Sequence, residues 1–191
     1  MRVLRGVGIG ATVIDHDPGQ IDTVRRFGWK AYYGDATRMD LLESAGAANA
    51  KLLLVALDDP AAAMQTVKRV RQRFPGLAMI VRARSRTDAY EYAEMGVPAI
   101  REVFGSALEA ASRMLKMLGF AEAESIVQRF KEYDEAQIAR MAPFRDDMKQ
   151  LIELTEQGRR DIAQLLATEI DQRNPRRDEE RGEGEVRAER L

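Results

Sequence analysis

Acidic residues end three apolar runs in the first third of the chain. The runs finish at Asp15, Asp35 and Asp58, and helix-length amphipathic segments separate them. Because ligands of an open parallel sheet bind beyond the carboxyl ends of its strands, the three side chains are expected along one edge of such a sheet. A carboxylate in that position accepts hydrogen bonds from the ribose hydroxyls of an adenosine. The residues therefore predict a nucleotide-binding edge.

Small and polar residues surround the first two of these acids. Asp15, His16 and Asp17 follow the first run, and a turn at 34–37 follows the second and lets a ligand approach the backbone. The alternatives are structural: a solvated acid at Asp15, a helix N-cap at Asp17 and a solvated loop histidine at His16. Because no arginine directly follows the acids, AMP or NAD(H) is favoured over a 2′-phosphorylated nucleotide. The predicted binding residues are Asp15, His16, Asp17, Gly34, Asp35, Ala36, Thr37 and Asp58.

The composition argues against several classes of function. The 191 residues contain no cysteine and one histidine, which argues against thiol chemistry, histidine metal clusters and a Ser-His-Asp triad. The 30 basic residues nearly balance the 31 acidic ones, so no net field favours nucleic acid. We therefore expect a binding protein with no metal, no catalytic residues and no nucleic-acid partner. One basic segment, Arg82, Arg84 and Arg86, is either solvated or able to reach a ligand anion.

Strand-like and helix-like segments alternate as far as residue 100 and predict the elements that position the acids. Asp17 is expected to cap the helix that begins at Pro18, and Asp35 or Thr37 the helix that begins at Met39. The first strand should be buried on both faces because its apolar residues are β-branched. The predicted fold is α/β with a Rossmann-like parallel sheet. Strands are expected at 9–15, 30–33, 51–56, 79–82 and 97–100.

The glycine fingerprint of dinucleotide sites is misplaced in this chain. Gly6 and Gly8 precede the first predicted strand and Gly10 lies at its start, whereas a phosphate-binding loop follows a strand. The sheet's usual first strand and glycine loop are therefore expected to be missing, and the chain to be a fragment of a longer protein. Residues 1–118 are predicted to form a partial nucleotide-binding domain, 119–172 a helical extension that makes dimer contacts, and 173–191 a disordered charged tail.

The segment DHDPGQIDTVRRFGWKAYYGDATRMDLLESAGA, residues 15–47, resembles the cytosolic regulatory domain of Kef-type, glutathione-gated potassium efflux antiporters. That domain belongs to the wider class of RCK (KTN, TrkA-N) nucleotide-binding domains. The string YYGDATRMDLLESAGA is nearly diagnostic, and the likeness continues through Asp58-Asp59-Pro60 to about Asp134.

The resemblance implies a dimeric sensor that holds AMP or NAD(H) and gates a membrane potassium/proton antiporter. The antiporter domain would be the missing N-terminal part of the same protein, and an ancillary regulatory subunit is a further implied partner. The parent would lie at the cytoplasmic face of the inner membrane, whereas the isolated chain is expected to be soluble and cytoplasmic. By position, the implied glutathione pocket uses Arg2, Phe27, Arg101 and Asp134, the last replacing an asparagine of the family.

Two other functions remain open at this point. The chain is alternatively a free-standing regulatory subunit of a Trk or Ktr potassium uptake channel, which would carry the same nucleotide-binding domain. A small NAD-dependent oxidoreductase is the alternative from another class. It requires a substrate-side acid or base.

Overall fold

The computed structural model describes residues 2–170, and their contacts group them into two units. The first unit holds the chain as far as Ala83 together with Val97–Ile100. The second holds Arg84–Gly96 and residues 101–170. The tail predicted at 173–191 lies outside the described residues.

The first unit alternates helices and strands, which confirms the α/β prediction. Its strands β1 and β2 pair in parallel, as do β3 and β4, and β5 lies beside β4. Residues Ala47–Asn49 add one 3₁₀ turn before β3. The elements are α1 (Arg2–Gly6), β1 (Thr12–Asp15), α2 (Pro18–Arg26), β2 (Lys30–Tyr33), α3 (Met39–Ser44), β3 (Leu52–Val55), α4 (Pro60–Arg73), β4 (Ala78–Ala83) and β5 (Ala99–Arg101), whose last residue belongs to the second unit.

The strands form two sheets, β1–β2 and β3–β4–β5, and within residues 2–170 no hydrogen-bonded ladder joins them. The expectation that the first strand is buried on both faces is wrong. Thr12 is exposed and the other three residues of β1 are half-buried, because β1 has a strand neighbour on one side only. In β3, Leu52 and Leu54 are likewise 51% and 58% exposed. The predicted first strand was also too long, since β1 begins at Thr12 rather than at Ile9.

One apolar core nevertheless joins both sheets. Leu42 of α3 and Val70 of α4 are buried at its centre. Ile14 of β1, Leu53 of β3 and Met79 of β4 pack against them. Helices α3 and α4 therefore hold the two sheets through side-chain packing.

Carboxylate caps fix where two of these helices begin. Asp17 accepts a hydrogen bond from the backbone N–H of Gly19 at 2.7 Å, and Asp59 accepts one from that of Ala61 at 2.9 Å. Both aspartates precede a proline at the start of their helix, which matches the predicted cap at Asp17. The predicted cap of α3 is wrong. Its N-cap is Arg38, without a side-chain cap, because Asp35 closes its own turn instead.

The second unit is helical. Its elements are α5 (Arg86–Glu94), α6 (Phe104–Met117), α7 (Ala123–Met141), a 3₁₀ turn at Ala142–Phe144 and α8 (Met148–Ile170). Tyr90 and Met141 are buried together, and Leu151 packs against them. Pro143 lies in the 3₁₀ turn, as expected for a residue that cannot continue a helix. Of the helices in residues 2–170, none combines the length and apolarity that crossing a membrane requires.

Val70 is fully buried in the core that both sheets share. Val70→Ala is expected to lower the free energy of unfolding by about 1–3 kcal/mol, because the lost methyl groups leave a cavity. Urea unfolding followed by circular dichroism measures the change. Val3, which is 80% exposed, provides the control, since Val3→Ala should change the value by less than about 0.5 kcal/mol. Equal effects of the two substitutions would contradict the assigned core.

Candidate functional site

The carboxyl ends of β1 and β2 bring the first predicted acids together. Asp15 is in register with Tyr33, and the N–H of Gly34 donates to the backbone oxygen of Asp15 at 2.9 Å. One side-chain oxygen of Asp15 accepts from the N–H of Asp17 at 2.9 Å, which orders the loop beyond the strand. His16 Nδ1 lies 3.6 Å from the same oxygen, and its side chain is 85% exposed. These residues form the first half of a strand-end site.

The turn after β2 supplies the second half. Gly34 has a φ of +150°, a backbone conformation that other residues rarely adopt, and a Cβ there would lie 2.8 Å from Leu41 Cδ2, so glycine is favoured at this position. Asp35 Oδ1 accepts from the N–H of Thr37 at 2.8 Å, while Arg69 of α4 approaches the Thr37 carbonyl at 3.4 Å. The turn is thus stabilised by a hydrogen bond within it and by a contact from α4. The Asp35 carboxylate is exposed on this turn.

Local hydrogen bonds keep Asp35 ionised. The backbone N–H of Thr37, and next its side chain, lower the pKa of Asp35 below its usual range. The charge of Arg38 acts in the same direction, and a protonated His16 would do so too. An ionised carboxylate accepts hydrogen bonds and donates none. Asp35 is therefore suited to hydroxyl or N–H groups of a ligand.

Asp58 lies at the carboxyl end of β3 in the other sheet, where it has a structural partner. Its Oδ1 is 2.5 Å from Nη2 of Arg82 on β4, and the same nitrogen donates to the backbone oxygen of Ala56 at 2.9 Å. The Asp58 side chain is 86% exposed, against 25% for Arg82. Asp58 therefore serves as a counterion that ties together the ends of β3 and β4.

Two of the predicted glutathione-pocket residues lie together in the first unit. The guanidinium carbon of Arg2 is 5.9 Å from the centroid of the Phe27 ring, and Phe27 is 55% exposed. Arg5 Nη1 donates to the backbone oxygen of Phe27, at the carboxyl end of α2. An exposed aromatic ring thus has one arginine near it, and a second arginine binds the backbone of the same residue.

The other two residues of that set, Arg101 and Asp134, lie together in the second unit. Asp134 on α7 is 5% exposed, and its two oxygens accept from Arg86 Nη1 and Arg101 Nη2. Arg86 Nε also donates to the Tyr90 hydroxyl at 2.7 Å. The ring centroid of Phe104 is 3.5 Å from the guanidinium carbon of Arg101. We call Arg86, Arg101 and Asp134 the arginine clasp.

Arg86 remains charged although it is partly buried. Burial lowers the pKa of Arg86, but hydrogen bonds to Tyr90 and Asp134 outweigh this effect and the pKa is raised. The clasp thus combines two guanidinium groups with one carboxylate and carries one excess positive charge.

The role of Arg86 escaped the sequence interpretation. From the sequence, Arg86 was grouped with Arg82 and Arg84 in one basic segment. That segment was expected either to be solvated or to reach a ligand anion. In the structure Arg82 instead bonds Asp58, and Arg86 bonds Asp134, a residue 48 positions away. Such a separation leaves no local pattern, so the pairing could not be predicted from spacing.

Comparison with known proteins settles the family. The model of the TrkA-N domain matches residues 1–102, more than half of the chain. The chain belongs to the TrkA-N family. The remainder is similar to the potassium efflux system KefB C-terminal domain, which matches residues 106–182, so this TrkA-N chain is of the Kef type. The resemblance read from residues 15–47 is thereby confirmed.

Curated relatives include two potassium-efflux proteins from enteric bacteria. One, the glutathione-regulated potassium-efflux system protein KefC of Escherichia coli O139:H28, is 41% identical over 151 residues. The KefC of Salmonella arizonae is 42% identical over 149 residues. The alignments cover 78% and 76% of this chain and 24% of each relative, so the chain spans about a quarter of their length.

Two solved structures share the fold. The Shewanella denitrificans Kef CTD in its AMP-bound form has a TM-score of 0.68 and 37% identity, covering 75% of this chain and 89% of that one. The TrkA-N domain of the Escherichia coli inner membrane protein ybaL has a TM-score of 0.52 and 24% identity, covering 61% and 84%. The second likeness supports the fold alone.

Thr37→Ala is expected to raise the pKa of Asp35 towards its ordinary value, because the variant removes the side-chain hydrogen bond and keeps the backbone one. Since the pKa of Asp35 is depressed in the folded state, its contribution to stability is present above the unfolded pKa and is lost as pH falls through the folded pKa. Carboxyl ¹³C NMR titration measures the shift. Thr37→Ser keeps a hydroxyl and should retain the low value. If Asp35 already titrates normally in the unmodified protein, the described turn is incorrect.

Proposed function

We propose that this TrkA-N chain is the ligand-sensing regulatory domain of a potassium efflux system, which binds AMP or NAD(H) and responds to glutathione or its adducts. The observation that carries the proposal is the strand-end site, where Asp15 and Asp35 lie at the carboxyl ends of paired parallel strands. Its family, and a 37% identical Kef structure described as AMP-bound, support the same ligand class.

The strand-end site suits an adenosine. Asp15 accepts ribose hydroxyls, and the ionised Asp35 accepts from the sugar or the base. The ordered turns at 15–17 and 34–37 hold both carboxylates before the ligand arrives, which lowers the entropy cost of binding. AMP is favoured over NAD(H) because the similar Kef structure contains it. Asp58 is paired with Arg82, so it makes at most a secondary contact with the nucleotide.

The parent protein would use this domain to gate potassium/proton antiport. The curated relatives carry the name of a glutathione-regulated potassium-efflux protein and are about four times as long as the matched segment. A ligand that binds one arrangement of the regulatory domain more tightly shifts the population towards it. The bound arrangement then opens or closes an attached membrane domain, with the regulatory domain on the cytoplasmic side of the inner membrane. The domain itself catalyses no reaction in this account.

Glutathione carries two carboxylates, which arginines recognise. Arg2 beside Phe27 in the first unit, and Arg101 beside Asp134 in the second, are the candidate contacts. The exposed Phe27 ring offers an apolar surface for the substituent of an adduct.

A homodimer is supported by an exposed stripe on α6. Its residues recur at alternating spacings of four and three, the pattern with which paired helices interlock. Val103, Met114 and Met117 are 67%, 57% and 88% exposed. The opposite side of α6 faces α7, where Phe104 lies 6.4 Å from Phe130 between ring centroids. We therefore place the dimer contact on this α6 stripe, which consists of Val103, Ala107, Ala110, Met114 and Met117.

Asp15→Asn and Asp35→Asn are each expected to weaken AMP binding at least about tenfold, the equivalent of about 1.4 kcal/mol, because each removes a charged acceptor. Asparagine keeps an oxygen that can hold the local turn. Isothermal titration with AMP measures the affinity. The control is Asp22→Asn, which removes the same charge from an exposed position on α2 and should leave the affinity unchanged. Unaltered binding by both site variants would overturn the assignment.

Met114→Glu is expected to dissociate the dimer, because it places a charge in the middle of the α6 stripe. Sedimentation analysis at several protein concentrations measures the association. The same change at Met148, which is 69% exposed on α8, should leave the dimer intact. Dissociation by Met148→Glu alone would place the contact in the extension at 119–172 instead.

A further inference from the structure

The arginine clasp buries a carboxylate that the strand-end site does not use. Asp134 is 5% exposed, and both of its oxygens are held by guanidinium groups, one from α5 and one from the end of β5. Burying a charge costs free energy unless the charge is paired. The two arginines offset that cost for Asp134. All three residues lie in the second unit.

The arginines of the clasp carry more charge than Asp134 cancels. Tyr90 and Phe104 provide a hydroxyl and a ring face, and among the described contacts of the two arginines Asp134 is the one carboxylate. The clasp therefore carries a net positive charge, which favours a further anion.

The geometry points to Asp134 as an internal competitor: its carboxylate occupies the position at Arg86 and Arg101 that a carboxylate ligand would take. We propose that such a ligand binds only by displacing Asp134 from at least one arginine. This inference rests on the proposed function, since it takes glutathione as the carboxylate ligand. Planar guanidinium groups bind an incoming carboxylate as they bind that of Asp134, so the two anions compete for the same donors.

Displacement would also transmit the signal. Asp134 lies on α7, whereas Arg86 and Arg101 lie on α5 and at the end of β5. A ligand that takes over the arginines breaks the ionic link between α7 and these two elements. Ligand binding is thereby coupled to the position of α7 through one pair of contacts, as population shift between two arrangements requires.

Asp134→Asn tests the competition directly, because asparagine has nearly the same shape and lacks the charge. Isothermal titration of the full chain with glutathione should show at least a tenfold tighter affinity than in the unmodified protein. Glu135→Gln is the matched control. Glu135 lies next to Asp134 on α7, has a side chain 60% exposed and pairs with Lys131 at 3.9 Å, so its neutralisation should change the affinity less than twofold. An unchanged or weaker affinity of Asp134→Asn overturns the inference.

A double variant separates competition from net charge and protects the test against a folding defect. In the variant that combines Asp134→Asn with Arg86→Gln, Arg101 is the one charged residue left in the clasp. The net charge of the clasp therefore stays at one positive charge, whereas the competing carboxylate is absent. This variant leaves one guanidinium group without a carboxylate partner instead of two. Its glutathione affinity should also exceed that of the unmodified protein, by several-fold. Equal affinity would show that charge alone governs binding and would overturn the inference.

AMP titration of the same proteins distinguishes this inference from the proposed function. AMP affinity should be unaffected by the clasp variants, since none of the described contacts of the clasp involves Asp15 or Asp35. Absence of AMP binding in every protein would refute the proposed nucleotide site, whereas the glutathione ratios decide the inference about Asp134.

Discussion

Parallel pairing of β1 with β2 is the constraint on which the account depends. Because the two strands run in the same direction, their carboxyl ends meet at one edge, where the N–H of Gly34 bonds the carbonyl of Asp15. That contact fixes the separation of the two short turns that carry the acids. The carboxylates of Asp15 and Asp35 are further held by backbone N–H groups of Asp17 and Thr37. The edge is thus ordered by the protein itself and is chemically suited to an adenosine.

Some residues at this edge of the sheet are needed for the fold, and others are suited to binding a ligand. Gly34 is favoured by its positive φ and by the nearby Leu41 side chain, and Asp17 caps α2. Asp15 and Asp35 have no comparable structural necessity, since neither caps a helix and their oxygens bond only local turns. We therefore propose that these two acids make the main ligand contacts of the site. The arginine clasp differs in kind, because its carboxylate is buried and both carboxylate oxygens are paired with guanidinium groups.

Local sequence patterns predicted the fold well. Strand β2 and the starts of α2 and α3 lie where alternation, Asp17-Pro18 and the turn at 34–37 placed them. Burial was harder to predict. The β-branched residues of β1 suggested an interior strand, but exposure depends on which strands become neighbours, and β1 pairs with β2 alone in the described part of the chain. The same limit explains the unexpected exposure of Leu52 and Leu54 in β3.

The candidate sites also differ in whether local sequence patterns could predict them. Asp15 and Asp35 could be proposed from sequence because a strand-end acid is a local feature that a parallel sheet repeats. The pairings of Asp58 with Arg82 and of Asp134 with Arg86 join residues 24 and 48 positions apart, which only the folded chain brings together. Sequence indicated the residue types at these positions, and folding decided their partners.

The most direct measurement of the central claim is NMR mapping of AMP on the isotope-labelled full chain. The account predicts that amide shifts saturating with AMP are concentrated at 15–17 and 34–37 and leave α7 and α8 unchanged. Shifts confined to the helical second unit, with the strand-end turns unaffected, would contradict it.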